Sequence, residues 1–148
     1  MVGELRVYNN WEMKKVEHIG IAVKNLEESN LLFEQLLGKP PYKTEYVESE
    51  NVQTSFFKTG RTKIELIQAQ NPENPINKFI GKRGEGIHHI AFEVKDIHKK
   101  IDELKKKGFQ FVSGIPKKGA DNKLICFLHP KSCNGVLIEL CQSIDPSI

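Results

Sequence analysis

Short segments in which apolar and polar residues alternate recur along the chain, separated by turns and by two helical patterns. The first segment, residues 16–23, is rich in β-branched residues and predicts a strand. The helix that follows is predicted to begin after Asn25 and to end at Gly38, because these residue types favour N-caps and C-terminal stops. Its apolar stripe consists of Leu26, Phe33, Leu36 and Leu37. Further strands are predicted over residues 42–48, 52–58 and 62–68.

The same order of elements recurs after a connector at residues 69–86, where prolines and glycines break regular structure and a short helix is predicted over 76–80. A strand over residues 87–94 leads into a helix that Asp96 caps and Gly108 ends. The apolar stripe of this helix consists of Ile97, Ile101 and Leu104. Strands are then predicted over residues 109–113, 124–129 and 136–141, with a loop over 114–122.

Residue identities repeat together with the elements. His18 and His89 open the two units 71 residues apart, and each is followed by isoleucine. An Ile-Glu-Leu triplet recurs near the end of each unit, and it contains Glu65 in the first unit and Glu139 in the second. A fixed period of this kind is the signature of a duplicated unit. The sequence therefore predicts an α+β fold of two tandem βαβββ modules, whose sheets form a curved mixed sheet around a shared cleft.

The repeat also predicts the domain organisation. Residues 16–142 are expected to form one domain, with module one at 16–68, the connector at 69–86 and module two at 87–142. Residues 1–15 are predicted to be an extension or a leader, and residues 143–148 a tail. Modules this small are expected to share a core.

Composition narrows the class of protein. With 39% apolar and 28% charged residues in 148, the chain is typical of a globular domain. No apolar run reaches the roughly 20 residues that a membrane span needs, and no secretory leader is evident, so a cytoplasmic protein with reduced cysteines is expected. A net charge of +3 is too small to indicate nucleic acid binding, but it suits an anionic small molecule.

Two histidines and two glutamates at matching positions of the duplicated unit indicate one shared metal site. Imidazole and carboxylate groups are good ligands for a divalent ion, and a mixed set of two nitrogens and two oxygens favours a metal with open water positions. Each residue alone would more commonly be structural or solvent-facing. His18 shares its strand face with Gly20 and Ala22, whose small side chains leave room above it.

The other histidines are weaker candidates. His88 adjoins His89, but the repeat aligns His89 with His18, and strand alternation would point His88 to the opposite face. His88 is therefore predicted to be structural. His98 and His129 have no counterpart in the first unit.

These motifs resemble a known family. The paired βαβββ units, the His-Ile strand openings and the Ile-Glu-Leu strands are similar to the vicinal oxygen chelate superfamily, which includes glyoxalases, extradiol dioxygenases and methylmalonyl-CoA epimerases. Within it, the segment Gly-Ile-His-His-Ile-Ala-Phe-Glu-Val at residues 86–94 resembles the epimerases. So does His-Pro-Lys-Ser at residues 129–132, which leads into Val-Leu-Ile-Glu-Leu at 136–140. The resemblance covers residues 16–142.

The resemblance implies a site, a cofactor and a reaction. It carries His18, Glu65, His89 and Glu139 over as metal ligands; relatives also use glutamine at the Glu65 position. The implied cofactor is one divalent ion. The family resemblance favours Co²⁺, with Mn²⁺, Ni²⁺, Zn²⁺ or Mg²⁺ as alternatives. The implied reaction interconverts the C2 epimers of methylmalonyl-CoA by proton abstraction and return through a metal-stabilised enediolate. The resemblance further implies an acyl-CoA substrate and a homodimer, with neither nucleic acid nor membrane as a partner.

Epimerisation needs acid/base groups on both faces of C2, and Glu139 is predicted to be one of them. Some relatives carry the other as a glutamate on the strand equivalent to residues 52–58, where this chain has none. Glu48, Glu50, Glu65 or a water molecule at the metal could take that role. The loop at 119–123 matches the family only in part. The lysines that could meet the coenzyme A phosphates, or simply be solvated, are Lys117, Lys118, Lys123 and Lys131.

Two other functions are compatible with the same scaffold. One is a glyoxalase-I-like isomerase or lyase of a thiol conjugate, which uses the same arrangement of ligands. The other is a metal-free module that binds small molecules, as drug-resistance members of the superfamily do. Those proteins lose the His/Glu set, whereas this chain keeps all four residues.

Overall fold

The computed structural model describes residues 13–144. The predictions for residues 1–12 and 145–148 therefore lie outside the described residues. Within the described range, no helix is both long enough and apolar enough to cross a membrane. The three cysteines of the chain are free thiols, and two of them are buried.

Two copies of a strand-helix-strand-strand-strand unit follow each other, as the alternation and the caps predict. The first comprises β1 (Met13–Ala22), α1 (Leu26–Leu37), β2 (Lys43–Val47), β3 (Val52–Thr59) and β4 (Thr62–Gln68). The connector contains α2 (Pro75–Arg83). The second comprises β5 (Gly86–Val94), α3 (Ile97–Lys106), β6 (Lys117–Lys118), β7 (Lys123–Leu128) and β8 (Ile138–Ser143). A short 3₁₀ turn at Pro130–Ser132 lies between β7 and β8.

The eight strands form one mixed sheet in the order β2-β3-β4-β1-β5-β8-β7-β6. Each module contributes four adjacent strands, and β1 pairs with β5 in antiparallel orientation at the centre. Ile19 lies opposite Ile90, its counterpart in the repeat, so an approximate twofold axis passes through this pair. The axis places His18 and His89 on adjacent strands, one on each side of it. The predicted fold of two βαβββ modules in one sheet is confirmed.

Helices α1 and α3 cover the same face of the sheet and leave the opposite face for the site. Helix α1 buries Leu26 against Phe57 and Leu66, and α3 packs its whole predicted stripe against β7 and β8. Both helices begin as predicted, because the side chains of Asn25 and Asp96 accept hydrogen bonds from backbone N–H groups three residues later. Leu36, which the pattern assigned to the α1 stripe, is exposed, because it lies about 100° around the helix from Leu37.

The strand predicted over residues 109–113 is reduced to a single bridge between Phe111 and Leu128. The backbone turns away at Gly114, whose φ of 76° is in the left-handed region. It returns as β6, inside the segment that was predicted to be a loop, and Lys117 there pairs with Ile125. Helix α2 is also longer than predicted, since Asn74 caps it and Pro75 opens it.

Candidate metal centre

The sheet register brings the four sequence-predicted ligands onto one face in two adjacent rows. In one row Gly20 lies between Glu65 on β4 and His89 on β5. In the other row Ala91 lies between His18 on β1 and Glu139 on β8. The rows are counterparts in the repeat, so the register relates Glu65 to Glu139 although their spacing in the sequence differs from that of the histidines. Each row places a small residue between its imidazole and its carboxylate.

The imidazoles meet at the centre of this arrangement. Nε2 of His18 lies 3.1 Å from Nε2 of His89. Glu65 Oε1 lies 3.5 Å from the first nitrogen and 3.4 Å from the second. The Glu139 oxygens lie 3.3 Å and 3.6 Å from the same two nitrogens. All four residues are at least nine-tenths buried. Ligand atoms of His18, His89 and Glu139 therefore lie close enough together to share one buried ion, and Glu65 adjoins both imidazoles.

This spacing fits a single divalent ion. Ligand atoms bound at about 2.0–2.2 Å from one ion lie roughly 2.8–3.6 Å from one another in tetrahedral or octahedral arrangements. The distances around the two imidazoles fall within that range. Glu139 Oε2 is buried and accepts no hydrogen bond from any described residue, although His18 Nε2 is 3.3 Å away. A buried carboxylate oxygen without a donor is the kind of atom that a cation satisfies.

The electrostatics of the site favour positive charge at its centre. Burial lowers the pKa of His18, but the carboxylates of Glu139, Glu17 and Glu65 outweigh it and raise that pKa to about 9. Burial opposes ionisation of Glu65, yet the hydrogen bond to His89 and the charge of His18 lower the pKa of Glu65. Burial, with the neighbouring charges of Glu65 and Glu50, raises the pKa of Glu139 despite both imidazoles. The pKa values of the two carboxyl groups are therefore shifted in opposite directions, and Glu139 takes up a proton more readily than Glu65 does.

Two further residues contact the site. The sequence analysis did not consider the first, Glu17, and assigned the second, His88, to the opposite face of the sheet. Glu17 is buried, and its Oε1 lies 3.1 Å from Nδ1 of His18. His88 lines the same cavity, and its Nδ1 lies 3.0 Å from Nδ1 of His89. The prediction that strand alternation turns His88 away is wrong, because the β1–β5 register shifts at this position. The signal was present in the repeat, where Glu17 and His88 occupy equivalent positions.

A cavity of about 340 Å³ opens above the four residues. Its walls are mostly apolar, and they come from both modules and from the connector. They include Val47, Val52, Ile67, Ile125, Phe127 and Leu137. An apolar cavity with a few convergent polar groups at its base is typical of a small-molecule site.

The turn between β2 and β3 brings one carboxylate to this cavity. Glu50 lines it, and its Oε1 forms an ion pair of 2.6 Å with Nζ of Lys117 from the other module. The Asn74 amide donates to the backbone carbonyl of Glu50 at 2.9 Å and so holds the turn in place. Glu48, the other candidate on this turn, is exposed and does not line the cavity. Among the four candidate lysines, Lys117 is the one that lines it.

Strand β3 itself offers no acid to the cavity. Thr54 is the buried polar residue that it contributes there. Its hydroxyl donates to the backbone carbonyl of Glu45 at 3.3 Å. As the sequence predicts, β3 therefore contributes a hydroxyl group and no carboxylate to the cavity wall.

Comparison with known proteins places this geometry in a family. Residues 17–127 match the model of the glyoxalase/bleomycin resistance protein/dioxygenase superfamily. The Bacillus subtilis protein YqjC, itself uncharacterised, is 36% identical over 88% of this chain and 93% of its own length. Human mitochondrial methylmalonyl-CoA epimerase is 36% identical over 90% of this chain and 76% of its own.

A solved structure is also similar. A variant of Streptomyces coelicolor methylmalonyl-CoA epimerase, in complex with 2-nitronate-propionyl-CoA, superposes with a TM-score of 0.85 at 30% identity. The superposition covers 89% of this chain and 96% of that one. The family match spans most of the chain, and the buried His/His/Glu cluster lies within the duplicated fold. The chain belongs to the glyoxalase/bleomycin resistance protein/dioxygenase superfamily, also called the vicinal oxygen chelate superfamily.

Proposed function

We propose that the protein is a divalent-metal-dependent epimerase that acts at C2 of methylmalonyl-CoA. The observation that carries the proposal is the convergence of His18, His89 and Glu139 at the base of one apolar cavity, with Glu65 beside both imidazoles. Within the described residues, Glu139 Oε2 accepts no hydrogen bond there. The chain is 36% identical to one methylmalonyl-CoA epimerase and 30% identical to another, and this similarity supports the choice of substrate. The structure of the second was solved with an acyl-CoA analogue bound. A homodimer and a cytoplasmic location stay predictions.

The four residues would hold the ion. When bound, a divalent ion supplies Lewis acidity, which stabilises the negative charge that develops on oxygen when a proton leaves the carbon next to a thioester carbonyl. With substrate bound, the apolar walls would exclude water and so strengthen the charge interactions in the cavity. Co²⁺ is expected from the family resemblance, and the donor set of two nitrogens and two oxygens also suits Mn²⁺, Ni²⁺, Zn²⁺ or Mg²⁺.

Glu139 is suited to move the proton on one face of C2. Burial raises its pKa, which brings a carboxylate closer to the proton affinity that a general base needs at neutral pH. Glu65, whose pKa is lowered, is better suited to remain an anionic ligand. Environments that shift the pKa values of two carboxylates in opposite directions commonly assign one to an acid/base role and the other to an electrostatic role.

Glu50 is our candidate for the opposite face. It reaches the cavity from the β2–β3 turn, whereas Glu139 lies at its base on β8, so the two carboxylates approach from different walls. The ion pair with Lys117 and the hydrogen bond from Asn74 hold Glu50 in place. A group supplied from this turn would replace the strand glutamate that some relatives use.

The decisive measurement follows deuterium incorporation at C2 of methylmalonyl-CoA in D₂O. We expect metal-dependent exchange and interconversion of the two epimers, and loss of both when the protein is treated with a chelator and desalted. Re-addition of Co²⁺ should restore them. Failure of folded, metal-loaded protein to exchange this proton would end the epimerase proposal. Turnover of methylglyoxal with glutathione would point instead to a glyoxalase-type enzyme, and metal-free purified protein that binds no added ion would point to a binding module.

Glu50→Gln tests the second acid/base group. If Glu50 serves one face and Glu139 the other, this variant should lose interconversion but keep solvent exchange for the one epimer whose C2 proton faces Glu139. The loss of interconversion is expected to be about 10²–10⁴-fold. Proton NMR and mass spectrometry of each separate epimer in D₂O would resolve the two activities.

Glu48→Gln is the matched control, because it changes the same group on the same turn at an exposed position outside the cavity. It should behave as the natural protein does. Equal exchange of both epimers with unimpaired interconversion in Glu50→Gln would remove Glu50 from the mechanism.

A further inference from the structure

The central strand pair contains two bulges that the twofold axis relates. On β1, Val16 lies opposite Phe92 and His18 opposite Ala91, so Glu17 is an extra residue without a partner. On β5, Gly20 lies opposite His89 and Ile21 opposite Ile87, so His88 is the extra residue there. A bulge interrupts the alternation of side chains and can re-aim one toward the face of its neighbour. Both bulges immediately precede a candidate metal ligand.

Each extra residue contacts the same nitrogen of the histidine that follows it. Glu17 Oε1 is 3.1 Å from Nδ1 of His18, and Nδ1 of His88 is 3.0 Å from Nδ1 of His89. The Nε2 atoms of His18 and His89 meet at the centre of the site. A nitrogen that binds a metal carries no proton, so each of these rings must hold its proton on Nδ1 when Nε2 is a ligand. Glu17 and His88 are then the acceptors of those Nδ1–H groups.

The two acceptors are themselves held in place. Glu17 Oε2 lies 3.0 Å from Nζ of Lys63, which in turn lies 2.9 Å from Asp121 Oδ2. Asp121 belongs to the second module, so this chain of charges ties the acceptor in module one to a loop of module two. The ring of His88 packs edge-on against Phe79 of helix α2, with centroids 5.0 Å apart. Neither acceptor is free to turn away without breaking a second contact.

We propose that Glu17 and His88 are positioning residues that orient His18 and His89 and select the Nδ1–H tautomer of each, thereby setting the affinity of the site for a divalent ion. The proposal rests on the metal-binding part of the proposed function and not on the identity of the substrate. The duplicated fold supplies the acceptors at equivalent bulges, but with different chemistry: a carboxylate in module one and an imidazole in module two.

The test is the affinity of the metal-stripped protein for Co²⁺, measured by calorimetry and by the visible absorption of bound Co²⁺. Glu17→Ala and His88→Ala should each weaken binding about 10–100-fold, the effect typical of removing a partner of a metal-binding histidine. Glu17→Gln and His88→Asn keep an acceptor oxygen near the same place and should recover much of that loss. Glu17→Met and His88→Phe fill much of the same space without an acceptor for Nδ1–H and should not recover that loss, whereas a role confined to packing would let them recover it.

Asp121→Asn is the control for Glu17, because it removes the other carboxylate from Lys63 and leaves the contact with His18 untouched. It should destabilise the metal-free fold, as judged by urea unfolding, and should weaken Co²⁺ binding by the folded protein much less than Glu17→Ala does, because the acceptor that contacts His18 remains. The proposal is overturned if folded Glu17→Ala binds Co²⁺ as tightly as the natural protein, or if Asp121→Asn weakens binding equally. If the protein binds Co²⁺ but fails the epimerase assay, the proposed substrate is wrong and this inference is unaffected.

Discussion

Glu139→Gln is expected to abolish detectable deuterium exchange of the methylmalonyl-CoA epimer whose C2 proton faces Glu139, which is the epimer that Glu50→Gln should still exchange. The amide keeps the size and shape of the side chain, so the buried fold should be retained, but it can neither accept the C2 proton nor offer an anionic ligand. Loss of general base catalysis alone predicts a fall of about 10²–10⁴-fold, and weaker metal binding adds to it. The measurement is exchange by NMR at saturating Co²⁺, together with Co²⁺ affinity, so that the two contributions are read separately.

Glu103→Gln provides the comparison, since it makes the same chemical change on helix α3. Glu103 does not line the cavity, and its Oε2 lies 3.8 Å from Nζ of Lys100. It should exchange the proton at the natural rate. If Glu139→Gln keeps substantial exchange of that epimer while Glu103→Gln is normal, another residue is the base on this face and the assignment of Glu139 fails.

Gly20→Ala is expected to disable the site through geometry alone. Gly20 lies beside His89 in the sheet, and a methyl group added there would be 2.7 Å from Nε2 and closer still to other atoms of the ring. The ring would have to move, and its other side is held by His88 and faces Phe127. A displacement of about 1 Å can cost on the order of 10²-fold in rate. We therefore expect a loss of at least this size in exchange, with weaker Co²⁺ binding.

Gly81→Ala is the matched substitution. Gly81 lies within helix α2, and no described residue outside the surrounding helix backbone comes within 4 Å of an added methyl group, so alanine should be neutral or slightly stabilising there. Thermal unfolding of both metal-free variants would show whether Gly20→Ala remains folded. Co²⁺ affinity and exchange rates that match the natural protein in Gly20→Ala would show that His89 does not need the space that glycine leaves.

Much of the architecture was accessible from local pattern. Asn25 and Asp96 cap their helices as expected, because an N-cap depends on residues within one turn. The repeat was visible as residue identities at a fixed offset, and duplication constrains topology more strongly than any local propensity does. Pairing the two histidines and the two glutamates across the repeat was therefore enough to nominate the candidate site.

Local pattern was misleading where long-range pairing took over. Strict alternation assigned His88 to the wrong face, because a bulge in the β1–β5 pair is visible only once β1 has found its partner. The segment 109–113 has the composition of a strand, yet only Phe111 forms a bridge, and the edge pairing passes to Lys117 and Lys118. Edge strands have one partner only, so small differences in turn geometry decide whether they form.

By itself, the sequence determined the duplicated βαβββ plan, the helices with their caps and the four residues nominated as ligands. These follow from periodicity and from identities at equivalent positions, which are properties of the chain read in one dimension. Tertiary structure alone decided that Glu50 reaches the cavity while Glu48 does not, and that Glu17 and His88 contact the two imidazoles. Those outcomes depend on the register between β1 and β5 and on a turn of module one that contacts module two. Contacts of this kind join residues distant in the chain, and no local periodicity encodes them.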